Sequence, residues 1–167
     1  VMRLLRFQNK KFHLICYCFS LIIIIVDQYT KYLISLRIND LYLGVQIFPF
    51  LDIVYVINKG ISFGIFSELN ISFYLGIMSL VISVFIVLWI WKSSMKIEMI
   101  SLSFVLGGAI GNGIDRIINS FVIDFIDFHW SNFHWPAFNF ADTFITTGAL
   151  IYVLSSFTKK TKIKKLK

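Results

Sequence analysis

Charge is scarce in this sequence: of 167 residues only 15% are Asp, Glu, Lys or Arg, against 57% hydrophobic and 17% aromatic residues, and the mean hydropathy is +0.78. That balance excludes an ordinary water-soluble domain and indicates an integral membrane protein. The length fits a single domain, residues 1–167. Cysteine is almost absent too. Cys16 and Cys18 lie in an apolar run with neither metal-site spacing nor a disulfide framework, so they are packing residues. Histidine is limited to His13, His129 and His134, and no HExxH occurs, which disfavours metal-dependent hydrolysis; no metal and no other cofactor is expected. His129 and His134 flank "WSNF" in an aromatic stretch and resemble interfacial anchors. A serine or cysteine nucleophile lacks its setting, since there is no GxSxG and no histidine beside a candidate nucleophile. No internal repeat is present. A small-residue cleavage site is also missing after "VMRLLRFQNKKFHLICYCFSLIIIIV", which runs into Asp27 and Lys31 and is therefore expected to be a retained span.

What is abundant is apolar length. A bilayer core takes about 20 apolar residues per helix, and four stretches qualify, at about residues 12–36, 72–91, 99–118 and 137–157. Four spans put both termini on one side. Of the 16 Lys and Arg residues, 12 precede the first span (Arg3, Arg6, Lys10, Lys11), separate the second from the third (Lys92, Lys96) or follow the fourth ("KKTKIKKLK"). The positive-inside rule makes that side cytoplasmic. The basic tail has no interleaved aromatic platform, so it serves topology and anionic lipid rather than nucleic acid. Loops of about residues 37–71 and 119–136 remain for the opposite side. In the first, "VQIFPFLDIVYVIN" alternates around Pro49, the pattern of short strands. The expected architecture is an all-α membrane protein of four transmembrane helices, with a small β-rich extracytoplasmic cap and both termini cytoplasmic.

The polar residues agree in depth. Asp27 and Lys31 fall late in the first span and Asn58 in the outer loop. Asn112, Asp115 and Arg116 fall late in the third span, Asp124 just after it, and Asn139 and Asp142 early in the fourth. An ionisable group at a helix centre costs at least about 2.5–3.5 kcal/mol, so such residues are paired or functional. Asp27 and Lys31, at i and i+4 with the acid N-terminal, suit a structural ion pair. Gly107 and Gly111 form a GxxxG surface for close helix approach. Asn112 shares a helix face with Asp115 and Arg116, and Asn139 shares one with Asp142.

The segment "VIDFIDF", residues 122–128, places Asp124 and Asp127 three apart. If it is extended they point to opposite faces and only one enters a given pocket; if it is helical both can. Either way Asp142 begins the next helix at the same depth. Two carboxylates together in a poorly solvated site share a proton, one serving as base toward water and the other as acid toward the leaving group. That is aspartic peptidase chemistry. A proton or ion transporter using the same carboxylates is the alternative, but it would need them at several depths. A non-catalytic assembly protein would use them only to hold helices together.

Taken in order, "DQYTKYLI", "NKGISFGIF", "GGAIGNGIDRI", "VIDFIDF" and "FNFADTFITTG" resemble the five signature segments of the lipoprotein signal peptidases, the type II signal peptidases of bacteria. The resemblance covers nearly the whole chain. It implies a catalytic pair of Asp124 and Asp142, with Asp127 a bystander, and a site lined by Asn58, Asn112, Arg116 and Asn139, with Asp115 supporting Arg116. Asp27 and Lys31 match the family's helix 1 pair. The implied substrates are diacylglyceryl-modified prolipoproteins, cut N-terminal to the lipidated cysteine in the bacterial inner membrane near its periplasmic face. Membrane lipid is the other implied partner, with no obligate protein partner and no nucleic acid. The sequence departs from the family at Ile61 and Ser62, where small residues are usual, at Gly113, which is expected to loosen the end of the third helix, and mildly at Thr143.

Overall fold

The computed structural model describes residues 2–60 and 71–164. In chain order its elements are α1 (Met2–Ser35), α2 (Ile38–Leu41), β1 (Val45–Phe48), β2 (Leu51–Asn58), α3 (Ser72–Lys92), α4 (Lys96–Asn119), β3 (Val122–Trp130), β4 (Phe133–His134) and α5 (Phe140–Lys164). Four segments are long and apolar enough to cross a bilayer: Lys10–Ser35, Ser72–Lys92, Lys96–Asn119 and Phe140–Phe157. They match the four stretches expected from hydropathy.

α4 is the central helix, with α1, α3 and α5 all packed on it. Its residues explain why. Leu102, Leu106, Gly107, Gly108, Gly111 and Asn112 are buried, whereas α3 is apolar all round and exposes Val84, Phe85 and Leu88, as a helix facing lipid does. The glycines set the distances. A Cβ on Gly107 would lie 2.7 Å from the Ile23 Cβ, and one on Gly111 would lie 2.6 Å from the Asp27 carboxylate, so the GxxxG seats α1 against α4. Gly113 does not loosen the helix end as the sequence led us to expect. It is buried against α3, with Leu80 3.2 Å from where a Cβ would stand, and so lets α3 approach. Cys16 packs with Ile86, Ile90, Met99, Leu102 and Leu106, in keeping with a packing role, whereas Cys18 is exposed and does not share that core.

The four strands form one antiparallel sheet in the order β1-β2-β3-β4. Pro49 and Phe50 make the turn between β1 and β2, so the first loop holds the strands its alternation predicted. The second loop supplies β3, which pairs with β2 from Leu51↔Phe128 to Asn58↔Val122. α4 ends at Ser120 in a left-handed conformation (φ 62°), which turns the chain directly into β3. The fourth spanning helix begins at Phe140 rather than near residue 137. Phe138 is held extended by reciprocal main-chain bonds to Ile126, N–H to carbonyl at 3.0 Å and the reverse at 2.9 Å, and the helix starts only once that pairing ends. Ile61 and Ser62 lie outside the described residues.

Candidate active site

β3 follows α4 after a two-residue turn, and burial of Val122, Ile123 and Phe125 fixes its register against the helices. The strand conformation answers the question raised by the two carboxylates of residues 122–128. Asp124 is 2% exposed and bonds to Asn58 and Asn139, while Asp127 points elsewhere and bonds to His134 at 2.8 Å.

Asp142 is placed by the start of α5. Asn139, the residue before the helix, accepts the Asp142 N–H with its side-chain oxygen at 2.9 Å. The Asp142 carboxylate in turn accepts the Asn139 N–H at 3.3 Å. This reciprocal arrangement is a capping box built from Asn and Asp, and it satisfies two of the helix's unpaired N-terminal donors. A third, the Ala141 N–H, donates to Asp27 at 2.9 Å. The Asp142 carboxylate therefore sits among first-turn amides, where the helix dipole favours negative charge.

Three asparagine amides face the two carboxylates, and each is oriented by a partner that admits one role. Asn58 accepts the Gly60 N–H at 3.0 Å, so its NH2 donates to Asp124 at 2.9 Å. Asn139 accepts the Asp142 N–H, so its NH2 donates to Asp124 at 2.7 Å. Asn112 accepts from Lys31 Nζ at 2.9 Å, and because an ammonium can only donate, the Asn112 NH2 is left to donate to Asp142 at 2.7 Å. Lys31 is buried and also lies 2.7 Å from Asp27 and 2.6 Å from Asp115. The helix 1 pair is thus an ion pair, as its spacing predicted, and it extends through Asn112 to the carboxylates.

Asp115, Arg116 and the two histidines complete the surroundings of the pair. Asp115 does not hydrogen-bond Arg116 among the described residues. Its carboxylate is taken by Lys31 and, at 2.8 Å, by Gln28. Arg116 instead donates from Nη2 to the Gly60 carbonyl at 3.0 Å, tying the chain after β2 to α4. Gln28 stands next to Asp27 in the sequence, but its partner Asp115 is 87 residues away. His129 and His134 do more than sit in an aromatic belt. Their rings stack with centroids 4.9 Å apart, His129 bonds to Asp52 at 3.2 Å, and the Asp52 and Asp127 positions pair across β2 and β3.

Both carboxylates line a cavity of about 360 Å³ together with Asn58, Asn112, Arg116, Trp135, Phe138, Thr146 and Thr147. Asp127 is not part of it, but lines an adjoining space that shares the walls Asn58, Asp124 and Trp135. Burial, and after it the facing Asp142 carboxylate, push the Asp124 carboxyl up to about 7. Asp124 can therefore carry a proton near neutral pH. No cluster of three or more His, Cys, Asp or Glu residues able to hold a metal occurs among the described residues.

Comparison with known proteins gives the family of the chain. The family model for Signal peptidase (SPase) II matches residues 19–158. The lipoprotein signal peptidase of Thermodesulfovibrio yellowstonii is 41% identical over 138 residues, covering 83% of this chain and 91% of the relative. That of Francisella tularensis subsp. novicida is 38% identical over 165 residues, covering 95% and 99%. Among solved structures, a bacterial membrane enzyme determined by the in meso method at 2.3 Å resolution superposes with a TM-score of 0.78 at 28% identity, covering 88% of this chain and 90% of the other.

Proposed function

Since the chain belongs to the signal peptidase II family, and so is a membrane aspartic peptidase of prolipoproteins, we propose that Asp124 and Asp142 are its catalytic pair. The observation that carries this assignment is that Asn139 links the two carboxylates, drawn from β3 and α5, at the wall of one cavity. Asp142, held by main-chain and amide donors at a helix start, is the base, and Asp124, with its raised pKa, is the acid. A water between them gives a proton to Asp142 as its oxygen attacks the scissile carbonyl, and the Asp124 proton passes to the carbonyl oxygen. The resulting gem-diol collapses when Asp142 returns its proton to the leaving nitrogen and a hydroxyl proton goes back to Asp124. The C–N bond breaks, and the pair ends as it began. No metal or cofactor is needed for this cycle.

The finer reading places the cut on the N-terminal side of a cysteine carrying diacylglycerol. The chain lies in the bacterial inner membrane with both termini cytoplasmic, supported by the 12 of 16 Lys and Arg residues that four spans put on one side. The sheet and the carboxylate pair then face the periplasm. Lipid acts by fixing the depth of the cysteine. An acyl chain already in the bilayer gains little from entering an apolar groove, so its contribution is positional and shows in turnover. Purified protein in detergent, given a diacylated prolipoprotein, should produce the size shift of a removed signal peptide. The unacylated form should react at least about 100-fold more slowly, a penalty that misplacement of the reacting atoms can cause. Equal rates on both would leave an intramembrane aspartic peptidase without lipid selectivity. No shift on either would refute the reading.

A further inference from the structure

Hydroxyls along the spanning helices, buried or exposed, are generally tied to main-chain carbonyls. Ser20 donates to Ser103 at 2.8 Å, Thr30 to Val26 at 2.8 Å, Ser79 to Ala109 at 2.7 Å, Ser83 to Ser79 at 2.8 Å and Thr143 to Asn139 at 3.0 Å. The reason is general: a polar hydrogen left without a partner away from water is costly. Thr146 and Thr147 depart from this pattern. Neither hydroxyl has a hydrogen-bond partner among the described residues, although the carbonyl four residues back is within reach of a helical threonine. Both residues are exposed, and both line the cavity that holds the two carboxylates. At about 1.5 Å of rise per residue they lie about 6 and 7.5 Å beyond Asp142, toward the middle of the span.

That offset meets a need of the substrate. A peptide bond must be extended to be hydrolysed between two carboxylates, so the residues preceding it give up their helical hydrogen bonds. At about 3.3 Å per extended residue, a distance of 6–7.5 Å reaches about two residues back from the cut. Carbonyls bared there, inside the span, need donors. A diacylglyceryl group attached beside the cut brings ester carbonyls of the same chemistry to a similar depth. We infer that Thr146 and Thr147 form a carbonyl-binding subsite, donating their hydroxyls to acceptor oxygens that the substrate carries into the span. The inference rests on the peptidase reading above.

Thr146→Val and Thr147→Val remove the hydroxyl at nearly constant shape, and Thr146→Ser and Thr147→Ser retain it. With the full-length protein in detergent and a diacylated prolipoprotein, each valine variant should lower kcat/KM by about three- to tenfold, the range for loss of one neutral hydrogen bond. The serine variants should stay near wild type, and all four should melt where wild type does. Repeating the series on a substrate whose glycerol carries ether-linked chains separates the two sources. A valine defect on both substrates assigns the hydroxyls to backbone carbonyls, and a defect confined to the ester substrate assigns them to the lipid; either supports the subsite. Wild-type rates in both valine variants, or serine variants as slow as the valine ones, overturn it while leaving the peptidase reading intact. A wild-type protein that cleaves neither substrate removes the reading on which the subsite rests.

Discussion

Replacing Asp124 by Asn should abolish cleavage and, above neutral pH, make the protein more stable. The Asp124 carboxyl rises from an ordinary 3.8 to about 7, which at about 1.4 kcal/mol per pH unit corresponds to about 4 kcal/mol. The folded state holds the proton more tightly than the unfolded chain. This stability is therefore complete below about pH 4, is lost progressively as pH rises through about 7, and stays lost above it. Asn cannot ionise, so it escapes that loss. It does bring an NH2 against one of the two amide donors, Asn58 at 2.9 Å or Asn139 at 2.7 Å, and an unsatisfied buried donor costs about 1–3 kcal/mol. The net gain for Asp124→Asn at pH 8 is then about 1–3 kcal/mol, set by that burial cost against the ionisation loss. Between pH 5 and 8 wild type should lose about 3 kcal/mol that the variant keeps. Denaturant titrations in detergent at several pH values, followed by tryptophan fluorescence, read the difference in slope directly. Asp142→Asn serves as a control and should lower the Asp124 pKa by removing the charge that faces it. Parallel pH slopes for wild type and Asp124→Asn, or more than a few per cent of wild-type turnover in the variant, would refute the assignment of Asp124 as the protonated member.

Lys31→Met leaves Asp27 and Asp115 buried without their cation and should destabilise the protein by about 3–5 kcal/mol, seen as a drop in unfolding midpoint; an unchanged midpoint would mean the ion pair is not what joins α1 to α4. Arg116→Lys keeps the charge but loses the planar fork that reaches the Gly60 carbonyl, so activity should fall by about fivefold or more, of the order of one charged hydrogen bond; full activity in steady-state assays would show that charge suffices. Asp127→Asn should retain at least about half of wild-type kcat, since its partner is His134 and it stands outside the cavity of the pair; a loss equal to that of Asp124→Asn would reverse the choice between them.

Much of the fold was legible because a bilayer imposes strong rules. Four apolar stretches of spanning length and the alternation around Pro49 are one-dimensional patterns with a direct physical cause. The depth of the polar residues was legible for the same reason, since charges are rare in such segments and every one of them carries information. The sequence could also state the alternative for Asp124 and Asp127, because side-chain direction follows from backbone period.

What it could not decide was which conformation applies, and that was settled by partners distant along the chain. Residues 122–128 are extended because β2 pairs with them, and α5 starts late because Phe138 is held by Ile126. Gly113 reads as a weak point until α3 is seen packed against it. Lys31 reads as the partner of Asp27 alone, because i,i+4 spacing is visible in one dimension. Its contact with Asn112, 81 residues away, exists only once Gly107 and Gly111 let α1 and α4 close together. Orientation of the three amides is the most strictly tertiary feature of all. An asparagine side chain has no preferred direction of its own, and here each is turned by a single-role partner, Gly60 N–H, Asp142 N–H or Lys31 Nζ, that packing brings within reach.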